Sequence, residues 1–504
     1  VKGGGPVVGG RPVRKSPEER LAGFRGRKVV VLGLGISNLA VIDCLLGAGA
    51  RVTAADRKTA GELGERYSRL SLLPLELVLG PGYLSALAGQ EVAFLTPGMR
   101  RDLPELEDAR RAGIELSSET KLFFELCRAP VVAVTGSAGK TTTTTLVGLM
   151  LRKSRPGVHV GGNIGRPLVA IAGDIRTEDI VVLELSSFQL QDLGLSPHVA
   201  AVLNVSPNHL DVHPTMADYV DAKKVIYQHQ GPLDFCVFNY DNDVTRGMAR
   251  DYDERVRRGL GGHAPVMYSR LENTGDGAFV SGDRLVVRLG PFGAGLPDAV
   301  VCSRDEIKLL GEHNLENVLA ASAVAGLAGA TPEAMREVAT SFRGVEHRLE
   351  PVRELAGVRY YNDSIATAPD RTIAALRSLP GPMVIILGGY DKKIGFGELA
   401  RELLECGKVR AAVILGATAG KIERALKAER DRREEAGSPA DRVQVVRVPG
   451  DFGAAVRTAH GLAVAGDIVL LSPACASFDM FANFEERGRA FKQLVAALPE
   501  GSGG

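Results

Sequence analysis

Val131-Val-Ala-Val-Thr-Gly136-Ser-Ala-Gly139-Lys140-Thr141-Thr142 reads as a buried strand, a tight glycine turn and the opening of a helix. Glycines let the backbone approach anionic oxygens, and a helix N-terminus adds free N–H groups and a positive dipole end. Lys140 has the reach for terminal phosphates, and Thr141 offers a hydroxyl to Mg²⁺. Gly136, Ser137, Ala138, Gly139, Lys140, Thr141 and Thr142 are therefore the expected phosphate contacts of a nucleoside triphosphate. The loop is two residues shorter than the common GxxxxGK[ST] form.

On either side of this unit, strands alternate with helical stretches, the pattern of parallel sheets. Upstream, Lys28-Val-Val-Val-Leu-Gly33-Leu-Gly35 leads into a helix and then the strand Arg51-Val-Thr-Ala-Ala-Asp56. This is a Rossmann-like unit, but position 38 is Asn where the dinucleotide fingerprint has its third glycine. The expectation is a nucleotide diphosphate with Asp56 near ribose or base, and no NAD. Downstream, strands at 358, 383, 411, 443 and 468 make a second Rossmann-like segment. The predicted fold is α/β in three domains, with a P-loop-type ATP-binding domain between two Rossmann-like ones. The expected boundaries are 27–118, 119–344 and 345–504, after a flexible tail at 1–26 that is not a signal peptide. Residues 275–290 alternate like a small antiparallel hairpin appended to the middle domain.

The chain has 504 residues, a net charge of +1 and six scattered cysteines. That balance argues against a nucleic-acid partner, and no apolar run is long enough for membrane insertion. The cysteines indicate neither a disulfide framework nor a zinc site, and the expected compartment is cytoplasmic. Nothing in the sequence demands more than a monomer.

Several polar residues fall at predicted carboxyl ends of strands, where open parallel sheets bind ligands. Glu184 ends one strand and is a candidate Mg²⁺ ligand; its bland reading is a surface acid or helix cap. His209 follows the next strand, in Asn204-Val-Ser-Pro-Asn-His209, and is either a ligand or a packed histidine. Lys223 lies on a predicted helix, where a solvated lysine is the ordinary reading. Asn314 and Asn317 open an alanine-rich helix and could simply cap it. Arg348 stands at a domain junction, suited to phosphates or to an interdomain salt link, and Asp363 ends a strand in Asn362-Asp363-Ser364.

Taken in order, these motifs resemble the Mur ligase family of cell-wall peptide synthetases over residues 28–498. The likeness rests on GlySerAlaGlyLysThr, Gly162-Asn-Ile-Gly165, Glu184-Leu-Ser-Ser-Phe, Gly311-Glu-His-Asn-Leu-Glu-Asn317, His347-Arg348 and Asn362-Asp-Ser364. Leu471-Ser-Pro-Ala-Cys-Ala-Ser477-Phe-Asp-Met-Phe, followed by Phe484-Glu-Glu-Arg-Gly488, is the most discriminating stretch. The resemblance implies an ATP-dependent ligase that phosphorylates the alanyl carboxylate of UDP-N-acetylmuramoyl-L-alanine and then joins glutamate to it. It implies two Mg²⁺ ions held by Thr141, Glu184, His209 and a carbamylated Lys223, with Lys140 on the transferred phosphoryl group. It places Asn314 and Asn317 at adenine and ribose, and Arg348 and Asp363 on the nucleotide. Ile36, Ser37 and Asp56 would meet the uracil nucleotide, and Thr96, Gly98 and Asn163 the diphosphate or muramoyl part. Lys392, Ser477 and Phe484 would position glutamate. Ala138 replaces the family's usual Asn. Ile365 stands where the family often has lysine, which raises L-glutamate as the alternative; the retained Lys392 and Ser477 keep glutamate, with the D-isomer the expectation. A folylpolyglutamate synthetase-like ligase is a further alternative, although its phosphate loop lies near the N-terminus.

Overall fold

The computed structural model describes residues 16–162, 167–206, 215–290, 298–309, 311–392, 394–437 and 443–499. The chain divides into two compact units, Val1–Phe342 and Arg343–Gly504. The first holds two α/β domains and the second holds one.

The N-terminal domain is a parallel sheet of β1 (Lys28–Leu32), β2 (Arg51–Asp56), β3 (Glu76–Leu79), β4 (Val92–Leu95) and β5 (Glu115–Ser117). Their order is β3-β2-β1-β4-β5. β1 is apolar on both faces because both are covered. Val29 and Val31 pack with helix Ile36–Gly47, while Val30 and Leu32 pack with Leu87, Leu106 and Ala109. The chain leaves β1 for β2 on one side while β4 lies on the other, so a crevice opens between the β1 and β4 ends.

The expectation of a loose tail fails for its last residues. Pro17–Ala22 is a helix closed by a Ser16/Glu19 capping box. Arg20 pairs with Glu125 at 2.6 Å, and Phe24 is buried against Phe94. Residues 1–15 lie outside the described chain.

The middle domain is built on β6 (Val131–Thr135), β7 (Val158–Gly162), β8 (Ile180–Glu184), β9 (Val199–Val202), β10 (Phe235–Asn239), β11 (Val266–Ser269), β12 (Gly277–Ser281), β13 (Arg284–Arg288) and β14 (Ala299–Ser303). The order is β14-β13-β12-β11-β10-β9-β6-β8-β7. The expected hairpin is present as β12–β13, but β12 pairs in parallel with β11. It is therefore a continuation of the main sheet, not an appendage. Helices Lys140–Ser154 and Glu312–Leu327 pack on each other and on one face of the sheet. Val132, Val134, Leu146, Met150, Val318 and Leu319 are central to that core.

The second unit contains β15 (Glu350–Leu355), β16 (Val358–Asn362), β17 (Met383–Gly388), β18 (Val409–Leu415), β19 (Gln444–Arg447) and β20 (Ile468–Leu471), ordered β15-β16-β20-β17-β18-β19. β15 is an antiparallel edge strand, absent from the sequence reading, that turns into β16 at Ala356-Gly357. The remaining strands are parallel. Helix Ala419–Glu435 takes in the charged residues 427–435.

Candidate active site

β6 sits between β9 and β8, so its glycine loop emerges between the Asn204 and Glu184 strand ends. Gly139 closes the loop in the left-handed region at φ 81°. A Cβ there would overlap Asn317 Oδ1, so only glycine fits. Asn317 in turn accepts from Thr143 Oγ1 at 3.3 Å and donates to Asn314 Oδ1 at 3.1 Å. The expected asparagine pair is thus tied directly to the loop and its helix.

Asn204 fixes the loop from the other side. Its Oδ1 accepts the Ala138 N–H at 2.9 Å, its Nδ2 donates to Ala138 O at 3.1 Å, and its carbonyl accepts Ser137 N–H at 2.8 Å. Those bonds use the backbone of residue 138, so the absence of an Asn side chain there costs the brace nothing. Ser137 Oγ lies 3.1 Å from the Tyr219 hydroxyl and accepts the Ser206 N–H at 3.0 Å. Asn204 was legible in the sequence only as a polar strand end, without a role of its own, and Tyr219 did not stand out. A polar residue just past a strand beside the loop, and a Tyr one helical turn before Lys223, were the available signals.

Lys223 is not a solvated helix lysine. It is 1% exposed, donates to Gly136 O at 3.1 Å and lies 4.5 Å from the Tyr219 ring centroid. Burial, and secondarily the Lys140 ammonium, lower its pKa to about 7. Lys140 Nζ donates to Gly136 O at 2.9 Å and Ser137 O at 3.3 Å. Thr141 is buried in the first turn of the helix. Glu184, 2% exposed, is in register with Val134 of β6. Two lysines thus bond the carbonyl of Gly136, Thr141 opens the helix after the loop and Glu184 ends the adjoining strand; the carboxylate and hydroxyl oxygens are donors of the kind that suit Mg²⁺. His209 and Asn163 lie outside the described residues.

In the N-terminal domain, five of the residues expected at the sugar nucleotide, Ile36, Ser37, Asp56, Thr96 and Gly98, lie at or just beyond the ends of β1, β2 and β4. Gly33 has φ 85°, and a Cβ on it would come within 2.8 Å of Thr96 Cγ2. Asp56 accepts Leu34 N–H at 2.7 Å through Oδ2 and Lys58 N–H at 2.9 Å through Oδ1. It braces the turn with lone pairs still to spare for a ligand. Asn38 explains the missing third glycine: its Nδ2 donates to Leu32 O at 3.0 Å and Gly33 O at 2.8 Å. Ile36, 66% exposed, opens the following helix next to partly exposed Ser37. Thr96 directly follows the neighbouring β4, where its N–H donates to Leu32 O at 3.1 Å, and Gly98 lies two residues further on.

Within the second unit, Asp363 follows β16, accepts Leu349 N–H at 3.2 Å and takes a hydrogen bond from Ser472 Oγ at 2.8 Å. Burial raises its pKa to about 7, against the pull of those bonds and of Arg348. Lys392 donates to Thr367 O at 3.1 Å and Thr367 Oγ1 at 3.3 Å, and burial lowers its pKa. Ser477 is buried, and its carbonyl accepts Phe481 N–H at 2.8 Å. Phe484 meets the His347 ring edge-on at 6.1 Å. Arg487, fully buried, joins two strand ends through Ser364 Oγ (3.0 Å), Ser364 O (2.8 Å) and Cys475 O (3.1 Å). Lys392, Ser477 and Arg487 therefore share the carboxyl edge of β16, β20 and β17.

Three family models match the chain in order: a Mur ligase MurD-like N-terminal domain at residues 27–118, a Mur ligase middle domain at 134–325 and a Mur ligase glutamate ligase domain at 347–475. The chain is 51% identical to the UDP-N-acetylmuramoylalanine–D-glutamate ligase of Symbiobacterium thermophilum, over 94% of this chain and 98% of that protein. It is 44% identical to the enzyme of the same name from Acetivibrio thermocellus, over 94% and 97%. The fold is also that of the crystallised UDP-N-acetylmuramate–alanine ligase of Thermotoga maritima, with TM-score 0.50, 18% identity and coverage of 93% and 99%. No helix among the described residues is long and apolar enough to cross a membrane. Three α/β domains, matched in chain order by these family models and along nearly the whole length by such relatives, make this chain a member of the Mur ligase family of ATP-dependent ligases.

Proposed function

We propose that the chain joins D-glutamate to the alanyl carboxylate of UDP-N-acetylmuramoyl-L-alanine in the cytoplasm, as a monomer, during peptidoglycan precursor synthesis. The observation that carries this reading is the 51% identity to an enzyme of that specificity over 98% of its length. The loop geometry supports the chemistry. A carboxylate is a poor electrophile because its oxygen leaves badly. In the first step a carboxylate oxygen attacks the γ-phosphorus of ATP, the bond to the β-phosphate oxygen breaks, and ADP leaves. In the second, the amine nitrogen attacks the acyl carbon, phosphate departs with the C–O electron pair, and the ammonium proton is lost.

In this reading the N–H groups of residues 136–142 and Lys140 hold the phosphates, where positioning and electrostatics do most of the work. Thr141, Glu184, His209 and, once carbamylated, Lys223 would hold Mg²⁺, which would offset charge on the phosphates. Asn314 and Asn317 serve adenine and ribose, with Arg348 and Asp363 as further nucleotide contacts. Ile36, Ser37, Asp56, Thr96, Gly98 and Asn163 take the sugar nucleotide, while Lys392, Ser477 and Phe484 orient glutamate. Lys392 pairs with one of its carboxylates.

Phosphate release from ATP, Mg²⁺ and UDP-N-acetylmuramoyl-L-alanine tests the proposal. Turnover should require D-glutamate. Turnover with L-glutamate alone would move the specificity to the alternative suggested by Ile365, and inactivity with both would refute the substrate assignment.

A further inference from the structure

We propose that Arg101 and Asp192 are positioning residues: a clamp that holds the sugar-nucleotide turn in register with the segment carrying Glu184. The turn Thr96–Met99 leaves β4 at the crevice and is closed by Met99 N–H to Thr96 O at 3.1 Å. Arg101 Nη1 donates to Met99 O at 2.7 Å and to Thr96 O at 3.3 Å. Its Nε donates to Asp192 Oδ2 of the middle domain. The Arg101 side chain is 12% exposed. One planar cation thus gathers two carbonyls from one domain and a carboxylate from the other, a task that needs the fixed fork of arginine.

Both ends of the clamp continue into the site. Thr96 N–H donates to Leu32 O at 3.1 Å, and its methyl fills the space that Gly33 leaves open. Asp192 follows the short helix Ser187–Leu190, which begins just after Glu184. Leu185 N–H donates to Val134 O at 2.9 Å, and Leu185 O accepts from Thr135 Oγ1 at 2.8 Å. That segment therefore moves with β6 and its phosphate loop.

The inference rests on the function proposed above. There, the carboxylate to be phosphorylated sits at one end of a long ligand whose nucleotide end occupies the crevice. The spacing between crevice and loop then sets where the reacting oxygen lies, and a misplacement of about 1 Å can cost on the order of 100-fold in rate. A merely stabilising ion pair would lower resistance to unfolding when broken and leave substrate affinity alone.

Asp192→Asn cuts the charge between domains and spares the bonds of Arg101 to its own turn. Hydrogen–deuterium exchange on the substrate-free protein should quicken at 96–102 and 186–193 together, by about threefold or more. In steady state, KM for UDP-N-acetylmuramoyl-L-alanine should rise about tenfold with KM for ATP within about twofold, and Asp192→Glu should restore most of the loss. Unchanged exchange at 96–102, or equal shifts in both KM values, would overturn the clamp. If the wild type fails to turn over this substrate, the proposed function falls, while the exchange comparison still decides the clamp.

Discussion

Lys223 is expected to present a neutral amine at physiological pH, and this can be measured directly. Its folded pKa of about 7 lies well below the ordinary lysine value of 10.5. The difference corresponds to about 5 kcal/mol favouring the uncharged form. At pH 7.5 about three-quarters of a group with pKa 7 is neutral, against about 0.1% for an ordinary lysine. Only the neutral amine has the lone pair that attacks CO₂ to form a carbamate, so burial raises the reactive fraction several hundredfold. ¹³C NMR of protein equilibrated with ¹³C-bicarbonate, without nucleotide, should show a carbamate resonance at pH 7.5 that is absent from Lys223→Met. Lys140→Met removes the second cause of the shift, so the amine should titrate at higher pH. The stability linkage has a definite sign. Below pH 7 the lysine is charged in both states, and its buried charge costs the most. Between pH 7 and 10.5 the unfolded chain binds the extra proton, so stability rises with pH by about 1.4 kcal/mol per unit. The advantage of Lys223→Met should therefore be greatest below pH 7 and fade toward pH 10.5. Titration of the Lys223 amine above pH 9 would refute the reasoning.

Gly139→Ala should force a left-handed alanine into Asn317, costing about 1–2 kcal/mol for the backbone alone; ADP affinity by calorimetry should fall at least tenfold. Asn204→Ala removes two side-chain hydrogen bonds to residue 138, worth about 1–3 kcal/mol together. KM for ATP should rise about tenfold, with KM for glutamate unchanged. Asp363 has its pKa raised to about 7, so the folded state holds a proton that the unfolded state releases near pH 4. Its charge costs stability progressively as pH rises from about 4 to 7, so Asp363→Asn should stabilise the protein at pH 8 by a few kcal/mol and much less at pH 4 in denaturant titrations.

The strand, loop and helix around Gly136–Thr142 were legible because each signal is local: β-branched residues, glycines at fixed spacing and the Lys140-Thr141 pair that follows them. The sheet beyond β11 was harder, since whether 277–288 stands alone or extends a sheet depends on pairing between distant strands. β15 escaped because Glu350-Pro-Val-Arg-Glu-Leu355 is a half-exposed edge strand with almost no apolar alternation. Helix Pro17–Ala22 escaped because it is one short turn-rich segment whose anchors, Glu125 and Phe94, are far away in sequence. At the site, residue types and order pointed to the phosphate loop and Glu184. Burial of Lys223 and the grip of Asn204 could not be read, because both depend on which strands flank β6.

The brace on residue 138 comes from a neighbouring strand rather than from within the loop. The shape of the loop is therefore written partly in the strand beside it, and a substitution at Asn204 reaches the loop without altering any residue of it.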